Sequence, residues 1–313
     1  MVKRDSREVV PAQPASHLGA APQISGVAHR RTNEVRTLAI ALLASLVLNL
    51  PFGGVLLYPF KLLATWLHEL SHGLAMIVTG AGFDHIVIYR DTSGLAYADA
   101  SVEPAGQALI AAAGYMGTPL WGALLMVVTP SARSARRALL VLAVLMIATG
   151  ILVVAPSPDA DEFGVWATIT MGIVVGVCAV VVPARWRVHV AHFIATQACI
   201  NALLDIRVLL RPSQVINGVL APGSDAHNMA MSTFGTHADW AVWFWASVWL
   251  LWSLAVLFVA LRVSGSRASM FSGRFAQARA LLRGGSGRDA RRRSRETARG
   301  ETGPSGPAGT AGS

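Results

Sequence analysis

Thr65-Trp66-Leu67-His68-Glu69-Leu70-Ser71-His72-Gly73 sets two histidines and a glutamate inside an otherwise apolar segment. Such placement is costly, since even lenient scales charge about 2.5 to 3.5 kcal/mol for an acidic residue at the centre of a membrane-spanning helix. Residues four apart on a helix share a face and lie within about 6 Å of each other, so His68 and His72 can turn imidazole nitrogens towards a single ion. Glu69 stands beside the first of them, where it can reach a metal-bound water without ligating. A zinc hydrolase uses this H-E-x-x-H arrangement: the metal lowers the pKa of its water to about 7, and the carboxylate takes the proton and later donates it to the leaving amine. The bland alternative is a hydrogen-bonded histidine pair at a helix end, with Glu69 in a polar network between helices.

The rest of the chain places this motif in a membrane. Of 313 residues, 53% are hydrophobic and only 14% charged, with a mean hydropathy of +0.50. That is too apolar for an ordinary soluble domain and predicts an all-α polytopic membrane protein. The net charge of +9 comes largely from the ends: Lys3, Arg4, Arg7, Arg30, Arg31 and Arg36 before the first span, and Arg288, Arg291, Arg292, Arg293 and Arg295 after the last. Basic tails beside a membrane indicate a cytoplasmic location and a lipid bilayer as neighbour, with no nucleic acid as partner. Cys178 and Cys199 lie in separate apolar segments without CxxC spacing and read as packing residues.

In chain order, residues 1–36 read as a disordered basic tail with no signal peptide. Leu38 to Tyr58 forms a first apolar segment interrupted by Pro51, Gly53 and Gly54, and Pro59 marks a boundary before the motif segment, Lys61 to Thr79, which Gly80 and Gly82 should stop. Ile86-Val87-Ile88-Tyr89, the turn Arg90 to Gly94 and Leu95-Ala96-Tyr97 predict a short β-hairpin. Apolar segments follow at Ala105–Val128, Ala138–Val154, Val165–Val182, Val190–Leu210 and Trp240–Leu261, giving six or seven helices in all. Pro119 is expected to kink the first of these, and its glycines, Gly114 and Gly117 among them, to let neighbours approach closely. Arg133, Arg136, Arg137, Arg185 and Arg187 mark cytoplasmic connections, whereas Asp159, Asp161 and Glu162 lie in one without Lys or Arg. Pro212 to Asp239 reads as a long loop, and residues 264–313 as a second disordered basic tail.

A hydrolytic zinc site usually takes three protein ligands. Asp205 is the best third candidate because it lies deep in an apolar span, with Asn201 four residues earlier on the same face. The alternative for Asp205 is an ion pair with Arg207 or Arg211. His189 and His192 also share a face but read as interfacial. Asp225, His227, His237 and Asp239 read as solvated loop residues, with a gating or substrate contact as the alternative.

His68-Glu69-Leu70-Ser71-His72-Gly73, the hairpin after it, and Asn201 to Asp205 in a later span resemble the site-2 protease family of intramembrane zinc metalloproteases, and more narrowly its compact bacterial, peptidase-like branch. The resemblance covers Leu38 to Leu261, and residues 37–263 are read as one membrane metalloprotease domain. It implies Zn2+ held by His68, His72 and Asp205, Glu69 as general base, and cleavage in or beside a transmembrane helix of a membrane protein substrate. By analogy it also implies a role for Asn201 in substrate engagement. Better-known members carry a proline between the asparagine and the aspartate, and a glycine directly after the aspartate; here Ile206 follows Asp205. Helical peptide bonds are shielded, so an exposed strand carrying Ile86 and Ile88 could capture unwound substrate by β-addition, the alternative being a hairpin that plugs the site. Two readings compete: a catalytically silent metal-binding membrane protein acting through partner binding, and, more weakly, a transporter using the polar residues as an ion path.

Overall fold

The computed structural model describes residues 54–155, 161–210, 214–221 and 223–265. These form seven helices: α1 Gly54–Thr79, α2 Pro104–Val128, α3 Ala132–Leu152, α4 Phe163–Val181, α5 Ala184–Leu209, α6 Asp225–Phe234 and α7 Asp239–Gly265. Two antiparallel hairpins join them, β1 (His85–Ile88) with β2 (Gly94–Tyr97) and β3 (Gln214–Ile216) with β4 (Val219–Ala221). Four helices, α2, α3, α4 and α7, are long and apolar enough to cross a membrane. The chain is an integral membrane protein whose fold is helical with a small hairpin after the motif helix. Helices α1 and α5 carry most of the ionisable side chains on the seven helices.

The motif helix departs from expectation at its start. Pro59 lies inside α1 and does not bound it; a single proline removes one backbone hydrogen bond, which a long packed helix can absorb. Residues 38–53 of the expected first span, and both tails, lie outside the described residues. The far end of α1 stops as its glycines predict. Gly80 adopts φ 78°, Ala81 N donates to Met76 O at 2.9 Å and Gly80 N to Ile77 O at 3.3 Å, the paired bonds of a left-handed helix stop that a Cβ would disfavour. Helix α3 begins at Ala132, six residues earlier than expected, because Ser131 and Ser134 form a reciprocal capping box. Arg133, Arg136 and Arg137 therefore sit on its first turns. Helix α2 continues through Pro119.

Close approach of backbones sets the packing. A Cβ on Gly117 would strike Ser71, and one on Gly122 would meet Cys199 Sγ at 2.6 Å and Ala195 O at 2.7 Å, so α2 lies directly on α1 and on α5. Gly172 and Gly150 do the same between α3 and α4. Trp66, fully buried, donates its Nε1 to Thr149 Oγ1 at 3.0 Å and ties α1 to α3. Trp249 stacks on Tyr115 at 5.1 Å, and Trp252 donates to Met116 O at 3.1 Å, so both pack α7 against α2.

The β1 strand is enclosed. Ile86 N donates to Val153 O at 2.7 Å and Ala155 N to Ile86 O at 2.9 Å, so the end of α3 takes the edge that β2 leaves free. Gly164, on α4, lies against the Ile88 backbone. At the hairpin turn, Arg90 grips Asp161 (2.8 and 3.2 Å), covers the Phe163 ring at 4.7 Å, and accepts a hydrogen bond from Tyr58 Oη at its carbonyl (2.7 Å). This guanidinium holds the Asp161 carboxyl below its ordinary pKa.

The stretch read as one long loop holds structure. Asn217 (φ 49°) and Gly218 (φ 75°) form the two-residue turn of the β3–β4 hairpin. Ser224 then caps α6, its Oγ accepting from His227 N at 3.4 Å, and Gly235 ends the helix in the left-handed conformation (φ 68°).

Candidate metal centre

Among the described residues, His68, His72 and Asp225 form the one group of three metal-ligating side chains whose ligand atoms lie within 4.8 Å of one another. Their separations are tighter than that bound. His68 Nε2 lies 3.0 Å from His72 Nε2 and 3.0 Å from Asp225 Oδ2, and His72 Nε2 lies 3.2 Å from the same oxygen. Three ligands about 2.0 to 2.1 Å from a tetrahedral ion stand about 3.3 Å apart, so the trio matches one face of a zinc shell and leaves the fourth position to the cavity.

The hydrogen bonding of His72 agrees. Its Nδ1 lies 2.6 Å from Ile110 O, and a carbonyl only accepts, so the proton is on Nδ1 and the Nε2 lone pair points at Asp225 and His68. Facing lone pairs need a cation or a shared proton between them, and a carbonyl behind a ligating imidazole is the usual support of a metal site. Gly114 supplies the room. A Cβ there would collide with His68 Nε2 and Cε1 and with His72 Nε2, so the face of α2 opposite the motif is kept bare where the ligand atoms converge.

The geometry brings Asp225, rather than the expected Asp205, to the two histidines. Asp225, read from sequence as a loop residue, stands on the first turn of α6, where the helix N-terminus favours a carboxylate. Asp205 does not join the trio. It lies on the wall of the same cavity, together with Asn201, Lys61 and Arg207. Asn201 is turned elsewhere, its Nδ2 donating to Phe60 O at 3.0 Å, which fastens α5 to α1. His189 and His192 lie in the first half of α5, apart from this cavity. The local signs of Asp225 were present in sequence: a Ser-Asp pair able to open a helix, with Gly235 able to close it.

Glu69 lies on the same helix and is buried at 6% exposure. Strand β2 passes directly over it: a Cβ on Gly94 would meet Glu69 Cγ at 2.8 Å and Oε1 at 3.0 Å, and the Ala96 backbone amide faces the carboxylate. Thr65 Oγ1 donates to Thr92 O at 2.6 Å and pins the turn above the motif helix. The cavity, about 910 Å³, is lined by Gly94, Leu95 and Ala96 as well as by the trio and Glu69. Ile86 and Ile88, at 0% and 2% exposure, face the core, and their strand has both edges engaged. Among the described residues, β2 contributes Gly94, Leu95 and Ala96 to the cavity and β3 contributes Ile216, and each strand pairs with another strand along one edge.

On its other side His68 is held by aromatic packing. The Tyr115 ring meets it edge to face at 4.7 Å and is itself stacked on Trp249. The arrangement can hold one divalent ion, keep a carboxylate next to it, and admit an extended chain along β2.

A family model described as Peptidase M50B-like matches residues 37–260. No curated protein and no solved structure matches the chain.

Proposed function

The chain belongs to the Peptidase M50B-like family, and from that premise we propose that it is an intramembrane zinc endopeptidase cutting membrane proteins in or beside their transmembrane segments. The observation that carries the proposal is the convergence of His68 Nε2, His72 Nε2 and Asp225 Oδ2, at 3.0 to 3.2 Å, on a cavity that also holds Glu69. Zinc bound there supplies Lewis acidity, bringing the pKa of water to about 7 and polarising a peptide carbonyl. The trio is taken as its ligands, in place of the set with Asp205.

The remaining work falls to the chain's own residues. Glu69 accepts the proton of the attacking water and returns it to the amine nitrogen of the broken bond. Gly94 and the Ala96 amide keep its carboxylate under β2 and close to any backbone laid along that strand. The free edge of β2 binds the unwound substrate by β-addition, a part that its buried neighbour β1 is not placed to play. Tyr115 and Ile110 fix the two imidazole rings. Both tails are assigned to the cytoplasm of a bacterial cell, following the basic residues.

Replacing Glu69 separates a protease from a silent metal protein. In Glu69→Gln membranes, fragments present in wild type should disappear while the purified variant keeps about one zinc per chain. Identical fragment patterns in the two strains would refute the proposal.

A further inference from the structure

The basic residues and the cavity lie at opposite ends of the helices. Helix α2 runs antiparallel to α5, since Gly122 meets Ala195 to Cys199 while Ala108 to Ala112 pack with Ile206 and Leu209. It runs parallel to α7, since Met116 meets Trp252 and Met126 packs with Ala260. Helices α3 and α4 are mutually antiparallel, Gly150 lying against Thr168 and Gly172 against Ala143. One end of the set therefore gathers the start of α2, the end of α3, the start of α4, the end of α5, α6 and both hairpins. The other gathers the connections 129–131 and 182–183 and the end of α7.

The cavity belongs wholly to the first end. Its rim includes Ala98, Ser101, Gln107, Ser232 and His237, and neither connection at the second end contributes to it. The second end carries Arg133, Arg136, Arg137, Arg185, Arg187 and Arg262, with Arg267 following in sequence and no acidic residue in either connection. The first end carries Asp84, Asp91, Asp99, Glu103, Glu162 and Asp239, and its Lys and Arg among the described residues are Lys61 and Arg207 on the cavity wall and Arg90, already bound to Asp161. Lys and Arg near span ends fix orientation, with the richer side in the cytoplasm.

We infer that the cavity opens on the extracytoplasmic face of the membrane, so that the substrate presents an extended segment at the outer end of its transmembrane helix. The substrate clause rests on the protease reading; the sidedness does not. A chain entering from that face meets the rim at Ser101 and Ser232 before it reaches β2 and the trio. Segments confined to the cytoplasmic side are not substrates.

Single cysteines test the sidedness in intact cells expressing the full chain with Cys178→Ala and Cys199→Ala. A membrane-impermeant maleimide should label Ser101→Cys and Ser232→Cys directly, and Ala184→Cys, at the exposed start of α5, only after permeabilisation. A fluorescent protein fused after Ser313 should glow, as folding in the cytoplasm allows, which reads the same orientation without any cysteine. Labelling of Ala184→Cys alone in intact cells, or a dark fusion that becomes active as a secreted reporter, would overturn the inference. Reversed labelling with Glu69-dependent fragments intact would remove the sidedness and leave the protease. The expected labelling without such fragments would remove the protease and its substrate clause, and leave the sidedness.

Discussion

At the scale of single residues the centre turns on which aspartate faces His68 and His72. Asp225→Ala should strip zinc from the purified protein, measured by elemental analysis, whereas Asp205→Ala should keep about one ion per chain. Loss of metal from the second variant and not the first would restore the ligand set that the sequence suggested. Gly114→Ala is predicted to bind no zinc although it adds one methyl group, because that methyl would occupy the space at the two Nε2 atoms. The histidines and Glu69 were legible because their spacing is local and a helix turns spacing into geometry. Asp225 was not, since its partner His68 is 157 residues away, and the rule that acids inside apolar spans are functional drew attention to Asp205. That rule did find the cavity wall; what it could not supply is which wall residue stands beside the two histidines. The missing proline and the Ile206 after Asp205 were signs in the chain that its pattern differs here.

At the scale of elements, α6 is a short helix whose first turn carries Asp225, the proposed third ligand, so its cap bears on the proposed ion site. Ser224→Ala should destabilise the helix start by about 1 kcal/mol, as loss of an N-cap does, and lower zinc affinity about fivefold in a competition titration. The Arg90–Asp161 bridge gives a pH dependence. Asp161 has a folded pKa below its ordinary value, so its contribution is present above the ordinary carboxylate pKa of about 3.9 and is lost as pH falls through the lowered one. Hydrogen exchange at Thr92 and Ser93 should speed up over that acid range in wild type and be fast at neutral pH in Arg90→Ala. The first hairpin and the Gly80 stop were readable because turn residues and β-branched runs act locally. Asn217-Gly218 between Val215-Ile216 and Val219-Leu220 is an equally strong hairpin signal, obscured by its setting in a long polar connection. Enclosure of β1 by Val153 to Ala155 was beyond sequence, because it pairs a strand with a helix end 67 residues away and depends on how α3 packs.

At the scale of the molecule, alternating apolar and basic segments disclosed the membrane class and the order of the helices, while the depth of the site emerged only from packing. Zinc should act as a clasp between α1 and α6. Stripping it with a chelator should lower the melting temperature in detergent, by the equivalent of about 4 kcal/mol if free zinc had been at 1,000 times its Kd; an unchanged melting curve would show that the trio does not bind the ion in the folded state. The late position of Asp225 also sets a timetable. At about 5 to 20 residues per second, the ribosome needs roughly 8 to 30 s to travel from His68 to Asp225, and through that interval the nascent chain holds Glu69 and both histidines without Asp225. On the proposed ligand set, a chain arrested before residue 225 would lack its third ligand, and the order of synthesis would delay the complete site until α6 is made.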